Sequence, residues 1–303
     1  MGKHYLVLAK QVPDTKKVTG KAMNDDGTMN RSALPAIFNP DDMCALEMAL
    51  RLKDQYGGKV TVITMGPPSA NEILRQALYR GVDKCILLTD RKFAGSDTLA
   101  TSMVLSKAID KIKDYSLVIC GRQAIDGDTA QVGPQTAEKI GIPQITYVED
   151  ILKLTDKTVE VKKIIENGYE IKTGPLPILL TCCATTETAS RPASAKMIQK
   201  HKKASSGSEM IFKAMKNGLK KDEAEKQVSQ QLKTEDPKSL SIEEWNIETI
   251  GVDPEICGLS GSPTWVKNIE SVVLSSKEHK NIEPTEQGLA GLVSELISDH
   301  ILD

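Results

Sequence analysis

A doubly wound, mostly parallel α/β fold with helices on both faces is predicted by three observations. The first 145 or so residues alternate short apolar runs with amphipathic helical stripes, at connection lengths typical of βαβ units. Two of those runs, Val60–Met65 and Leu117–Cys120, read as strands buried on both faces. Past Gln144 the period changes to two, and Asn167-Gly168 lies between two alternating runs as a hairpin turn. An antiparallel hairpin added to the parallel sheet is therefore expected.

The elements follow in order. Tyr5–Lys10 is the first strand. Asn39-Pro40 reads as an N-cap with proline at the first helical position, and Met43, Leu46 and Leu50 continue the stripe until Gly57-Gly58 stops it. Lys59–Met65 is the second strand. Ser69 and Glu72 have capping-box spacing ahead of Ile73, Ala77 and Leu78, and Gly81 ends that helix. Lys84–Thr89 is the third strand. Asp97 caps a helix carrying Leu105, Ile109 and Ile112. Tyr115–Cys120 is the fourth strand, and Thr129–Ile140 a further helix capped by Asp128 or Thr129. Thr158–Lys163 and Tyr169–Lys172 form the hairpin, and Pro177–Thr181 is one more strand.

From about Thr185 the chain turns polar, with a basic cluster at Lys200, Lys202 and Lys203. Residues 208–233 read as two short helices broken at Gly218, with a thin stripe of Ala224, Val228 and Leu232. Ser241-x-x-Glu244 is a second capping-box pattern. The tail, 284–301, is helical, with Leu289, Leu292, Val293, Leu296 and Ile297 apolar. It packs either on this chain's own core or on another molecule. There is no internal repeat.

Composition narrows the function. The 303 residues carry 39 Lys plus Arg and 41 Asp plus Glu, a net charge of −2, so no overall electrostatic case for nucleic acid exists. No run approaches the ~18 apolar residues of a membrane span. Tyr5–Ala9 is too short for a signal-peptide core. The six cysteines, Cys44, Cys85, Cys120, Cys182, Cys183 and Cys257, contain no Cys-x-x-Cys pair and fit free thiols of a reducing cytoplasm, with Cys182–Cys183 a candidate redox pair. His4, His201, His279 and His300 are scattered. No metal site and no nucleophile–base pair is expected from this chain, so redox chemistry would fall to a bound cofactor.

An open parallel sheet binds ligands outside the carboxyl ends of its strands, where strand order switches. Neither the Gly-x-Gly-x-x-Gly fingerprint nor the phosphate loop Gly-x4-Gly-Lys-Ser/Thr is present. One post-strand loop stands out: Gly121, Arg122 and Gln123, then Asp126, Gly127, Asp128, Thr129, Ala130, Gln131, Val132, Gly133, Pro134 and Gln135. A helix start there, with a close-approach glycine at Gly127 and hydrogen-bonding Thr129 and Gln131, suits a phosphate. The acids suit a cap or ribose hydroxyls. A plain capped helix after a loop explains the same residues. Ala9 after the first strand, Asn39, Pro40, Asp41 and Asp42 at a helix start, Met65 and Gly66 after the second strand, and Asp97 and Thr98 at another helix start would share that crevice. The candidate ligand is an adenine nucleotide.

Lys10-Gln-Val-Pro-Asp-Thr15, Asn39-Pro40 before a helix, Gly121–Gln135 and Cys257–Thr264 resemble the β subunit of electron-transfer flavoprotein. Arg191–Lys203 resembles that family's partner-recognition loop, at Arg191, Ala195, Lys196 and Ile198. The resemblance implies a heterodimer with an α subunit that carries its own FAD. It implies AMP in the β-subunit site of the housekeeping branch, or a second FAD that accepts hydride from NADH in the electron-bifurcating branch. Val12–Thr15 and Asp126–Pro134 resemble the second branch. One electron would then pass to ferredoxin or flavodoxin. The other would pass through the α-subunit FAD to an acyl-CoA dehydrogenase-like or flavin 2-hydroxy-acid dehydrogenase partner. On this reading the chain alone is an electron carrier, divided into a nucleotide-binding domain (1–184), the recognition loop (185–203), a helical insertion (204–243) and a C-terminal arm on the α subunit (244–303). Two features depart from the family: Ala195 stands where a larger apolar anchor is usual, and the stretch between Lys203 and Ser241 looks inserted. An AMP-holding carrier and a stand-alone adenine-nucleotide-binding α/β protein are the alternatives.

Overall fold

The computed structural model describes residues 3–14, 34–184, 189–234, 242–264, 281–298 and 301. Apolar runs and helical stripes alternate as β1 (His4–Leu8), α1 (Pro40–Tyr56), β4 (Lys59–Met65), α2 (Asn71–Tyr79), β5 (Lys84–Leu88), α3 (Thr98–Ile112), β6 (Leu117–Gly121) and α4 (Val132–Lys139). Two short strands, β2 (Gln11–Pro13) and β3 (Ala36–Phe38), pair as a separate antiparallel ribbon between β1 and α1. Then come β7 (Gln144–Leu154), β8 (Thr158–Ile165), β9 (Gly168–Pro175) and β10 (Ile178–Cys182). The second half adds α5 (Ala195–His201), α6 (Gly207–Lys216), α7 (Lys221–Thr234), β11 (Ile242–Trp245), α8 (Ile247–Ile250) and α9 (Glu286–Ser298).

One nine-stranded sheet runs β11-β5-β4-β1-β6-β10-β7-β8-β9. It is parallel from β11 to β7, and the β8–β9 hairpin is antiparallel at one edge. Helices on both faces bury the central strands twice. Leu46, Leu50, Ile73 and Leu78 of α1 and α2 pack on Tyr5, Val62 and Leu180 on one face. Leu105 and Ile109 of α3 pack on Leu6, Ile63 and Val118 on the other.

The structure departs from sequence expectation at several points. Pro68–Ala70 forms a 3-10 turn, so α2 starts at Asn71 and the Ser69–Glu72 capping box does not form. Asn71 Nδ2 instead binds the Pro68 carbonyl at 2.8 Å. The second box is replaced by β11: Ser241 lies outside the described residues, and Glu244 is in a strand paired with β5. The bare edge of β5 offered hydrogen-bonding groups that outweigh a local helix signal. Ile242 and Glu243, inside the expected 204–243 insertion, thus belong to the sheet. The hairpin turn is Glu166-Asn167, with Gly168 opening β9 at φ +148°. β7, which joins the hairpin to the parallel sheet, was not foreseen. Helix α9 buries none of its side chains, and Leu289, Val293 and Ile297 are exposed. No described helix is long and apolar enough to cross a membrane.

Candidate nucleotide-binding site

Strand order reverses at β1, which has β4 on one side and β6 on the other. A crevice therefore opens outside the carboxyl ends of β1 and β6. The first turn of α1 is inserted there. Asp42 is buried, and its Oδ2 accepts from the Lys10 N–H and its Oδ1 from the Gly121 N–H, each at 2.8 Å. One carboxylate thus ties both strand ends together. Burial pushes its pKa up to about 7, against the lowering effect of those two N–H donors and Asn39. Residue 121 must be glycine for this contact. A Cβ there would lie 2.5 Å from Asp42 Oδ1 and 2.7 Å from the Asp42 nitrogen.

Asn39 precedes α1 as expected, but its side chain does not cap the helix. Its Nδ2 donates to the Gln123 carbonyl at 2.8 Å and its Oδ1 accepts from the Ile125 N–H at 3.2 Å. An amide satisfies a loop donor and a loop acceptor together, which a lone helix N–H could not match. Asp41 Oδ1 accepts from the Ala184 N–H at 3.0 Å, and its Oδ2 lies 3.7 Å from Arg122 Nε. The Arg122 guanidinium stands over the Tyr147 ring. The loop acids are also held: Lys10 Nζ binds both Asp126 oxygens at 2.7 and 2.9 Å, and Gln123 Nε2 binds Asp128 at 2.8 Å.

Helix α4 starts at Val132, not Thr129, and neither Asp128 nor Thr129 caps it. Asp128 (φ +50°) and Ala130 (φ +52°) are left-handed, which ends any helix through them. Left-handed Ala130 followed by right-handed Gln131 turns successive N–H groups to one side, as an anion nest does. The N–H groups of Thr129, Ala130, Gln131, Val132 and Gly133 have no acceptor among the described residues. The positive end of the α4 dipole adds to them. A Cβ on Gly127 would meet nothing within 4 Å, so this flank is open. Gly133 is the opposite: a Cβ there would lie 2.9 Å from Cys120 Sγ and Thr181 Cγ2, so glycine lets α4 press onto the sheet.

The remaining expected residues lie along the same rim. Thr98 Oγ1 donates to Gln131 Oε1 at 2.8 Å, and Ser102 Oγ to Gln135 Oε1 at 3.2 Å, coupling α3 to α4 beside Pro134. Asp97 caps α3 through the Ala100 N–H at 3.0 Å and also accepts from Thr264 N–H and Oγ1 at 3.1 and 2.7 Å. Burial raises its pKa, but these donors outweigh burial and hold it below the ordinary value. Its carboxylate therefore faces the Cys257–Thr264 segment. Ala9 follows β1, Met65 ends β4, and Gly66 follows it with its N–H tied to the Leu88 carbonyl.

Residues 26–206 match the model of the electron transfer flavoprotein domain, more than half the chain. The chain belongs to the electron transfer flavoprotein family. It is 40% identical over 299 residues to electron transfer flavoprotein subunit beta of Clostridium acetobutylicum, covering 99% of this chain and 100% of that one. It is 42% identical to subunit CarD of the caffeyl-CoA reductase-Etf complex of Acetobacterium woodii, covering 98% and 99%. It is 37% identical to protein FixA of Bradyrhizobium diazoefficiens, covering 96% and 90%.

In this electron transfer flavoprotein chain the segment expected to recognise partners divides in two. Arg191 is turned inward. Its N–H and Nε bind buried Glu47 at 2.9 and 3.0 Å, and its Nη2 binds Asp54 at 2.8 Å. Arg191 therefore fastens the segment to α1. Ala195, Lys196 and Ile198 lie exposed on α5. All six cysteines are free thiols, so Cys182–Cys183 is not a disulfide. Burial raises the Cys182 thiol, whose Sγ contacts Met48 Sδ at 3.2 Å. Sequence reasoning did not foresee the Asp42 bridge or the Asn39 fastening, and no local pattern signals either.

Proposed function

We propose that this chain is the β subunit of a cytoplasmic heterodimeric flavoprotein and that its crevice holds FAD. The heterodimer would draw electrons from NADH and divide them between ferredoxin or flavodoxin and, through the FAD of its α subunit, a flavin-dependent acyl-CoA or 2-hydroxy-acid enzyme. The observation that carries this reading is the row of N–H groups from Thr129 to Gly133, which find no acceptor among the described residues, at the mouth of the β1–β6 crevice. Such a row fits a pyrophosphate. The open flank of Gly127 leaves room for backbone to approach it closely. Ala9, Met65 and residues 39–42 would surround the adenosine, and Asp126 or Asp128 would meet ribose hydroxyls.

Bound there, FAD would supply the two-electron and one-electron chemistry that no side chain of this chain carries. The protein's part is binding and positioning. Asp42 holds β1 and β6 in register at the crevice, Asn39 fixes the 121–125 loop, and Gly133 sets α4 on the sheet. The names of relatives support an acyl-CoA enzyme as partner. One is a subunit of a caffeyl-CoA reductase complex. Another, 52% identical over 179 residues, is the acryloyl-CoA reductase electron transfer subunit gamma of Anaerotignum propionicum.

The test is to co-produce the chain with its α subunit, release the bound nucleotides and count them per heterodimer. Two FAD and no AMP is the expected result. One FAD and one AMP would make this subunit a scaffold and overturn the bifurcating assignment. No adenine nucleotide in this subunit would overturn the reading of the Thr129–Gly133 row.

A further inference from the structure

Helix α6 is turned inside out. Its acid, Glu209, is buried, while Phe212, one turn on, is 62% exposed and Met215 43% exposed. Polar bonds hold it this way. Glu209 Oε2 accepts from Arg75 Nη1 at 2.8 Å and from Ser205 Oγ at 2.6 Å, and Oε1 takes Lys213 Nζ at 2.7 Å. Arg75 also binds the Ala204 carbonyl, and Asn71 Nδ2 binds Ser206 Oγ at 2.8 Å. Rotating α6 to hide Phe212 would pull Glu209 away from Arg75 and Ser205 and leave a largely buried carboxylate without those partners. The exposed aromatic is therefore a built feature of the fold.

Charge marks what would cover it. Residues 195–221 hold eight lysines against the single acid Glu209, a net +7 in a chain that totals −2, leaving −9 for everything else. Lys196, Lys200, Lys202, Lys203, Lys216 and Lys220 are exposed, and no carboxylate pairs with their ammonium groups among the described residues. Exposed apolar Phe212 and Met215, carried on a stretch this rich in exposed lysine, complement an apolar patch flanked by carboxylates. A single aromatic offers no stacking platform for successive bases, which favours a protein over a nucleic acid. Location narrows the choice further. Helix α6 packs on the 68–70 turn after β4, and Ser69 there receives a hydrogen bond from Gln11 just past β1. Helix α6 thus lies beside the carboxyl ends of β1 and β4, on the side of the sheet where the proposed nucleotide site opens.

We propose that this face docks a small acidic electron-carrier protein, the one-electron acceptor of the function proposed above, on which the inference rests. Of the two electrons released when NADH becomes NAD+ and a proton, one leaves with this carrier and the other through the α subunit. Electrostatic steering speeds such short-lived encounters, and the apolar centre supplies affinity.

The test uses the αβ heterodimer with its nucleotides, and oxidised ferredoxin as the probe, titrated calorimetrically at low and at moderate salt. Phe212→Ser should weaken ferredoxin binding by roughly tenfold. The double reversal Lys216→Glu with Lys220→Glu should weaken it at least as much at low salt and flatten its salt dependence. Flavin content and NADH-driven reduction of ferricyanide should stay at wild-type values, since none of these residues touches the crevice. Wild-type ferredoxin affinity in both variants overturns the proposal. So does loss of binding to the acyl-CoA enzyme with ferredoxin binding retained, which would give the face to that partner. The nucleotide count separates the two kinds of failure. One FAD and one AMP overturns the bifurcating assignment and this proposal with it, whereas two FAD with unchanged ferredoxin affinity overturns the docking face alone.

Discussion

Replacing Asp42 by asparagine tests how the crevice is held together. Burial lifts this carboxyl from its ordinary 3.8 to about 7, so the folded state holds the proton more tightly than the unfolded chain does. Between those two values the folded protein binds the extra proton, and its stability falls as pH rises. The loss runs at about 1.4 kcal/mol per pH unit and totals as much as about 4 kcal/mol by pH 8. Below pH 4 Asp42 is protonated in both states and the effect vanishes. Asparagine resembles the protonated acid in shape and hydrogen bonding. Asp42→Asn should therefore match the wild type near pH 4 and exceed it at pH 8. Urea denaturation of both proteins across that range is the assay. A difference of that size moves the midpoint at pH 8 by about 1 M for a slope of about 3 kcal/mol/M. The same substitution places an amide N–H where Lys10 or Gly121 now donates, so nucleotide retention should fall even as stability rises. Parallel stability–pH curves for the two proteins would refute the assignment of a buried, proton-retaining carboxyl at the β1–β6 junction.

Three further outcomes follow from the same geometry. Gly121→Ala forces a Cβ to within 2.5 Å of Asp42 Oδ1 and should cost about 1–3 kcal/mol, with fewer nucleotides retained per heterodimer. Asp97→Ala removes the α3 cap and both Thr264 bonds; a loss of about 1–2 kcal/mol and faster amide exchange across 257–264 are expected. Burial pushes the Cys183 thiol up to about 11 despite Arg122, and raises the Cys85 and Cys120 thiols further. A disulfide reagent at pH 8 should find roughly a hundredfold less thiolate at Cys183 than at a free cysteine, and prompt labelling of two vicinal thiols would revive a redox role for Cys182–Cys183.

Local pattern made the parallel half of the fold legible. Strand and helix periods, the Pro40 helix start, the Asp97 cap and the glycine stops are read within one or two turns of chain, and each forms as read, apart from small boundary shifts. The loop from Gly121 to Gln135 reads as a candidate ligand loop because it follows a buried strand and carries glycines and short polar side chains. The start of α4 was not legible. Left-handed backbone at Asp128 and Ala130 is a property of the folded loop, whose neighbours Asp126, Asp128 and Ile125 are tied to Lys10, Gln123 and Asn39.

By itself, the sequence determined the alternation of elements, the two-sided burial of the central strands and the family to which the chain belongs. Only the tertiary structure decided what each polar side chain does. Asn39 leaves its helix to hold a loop more than eighty residues away, Asp42 joins β1 to β6, and Arg191 turns inward to Glu47. Residues 242–245 pair with β5 as a strand although their spacing reads as a helix start. The physical reason is common to all four. A backbone period reports what a segment can bury, whereas a hydrogen bond goes to whichever unsatisfied group the fold brings within about 3 Å, and that neighbour is written nowhere nearby in the chain.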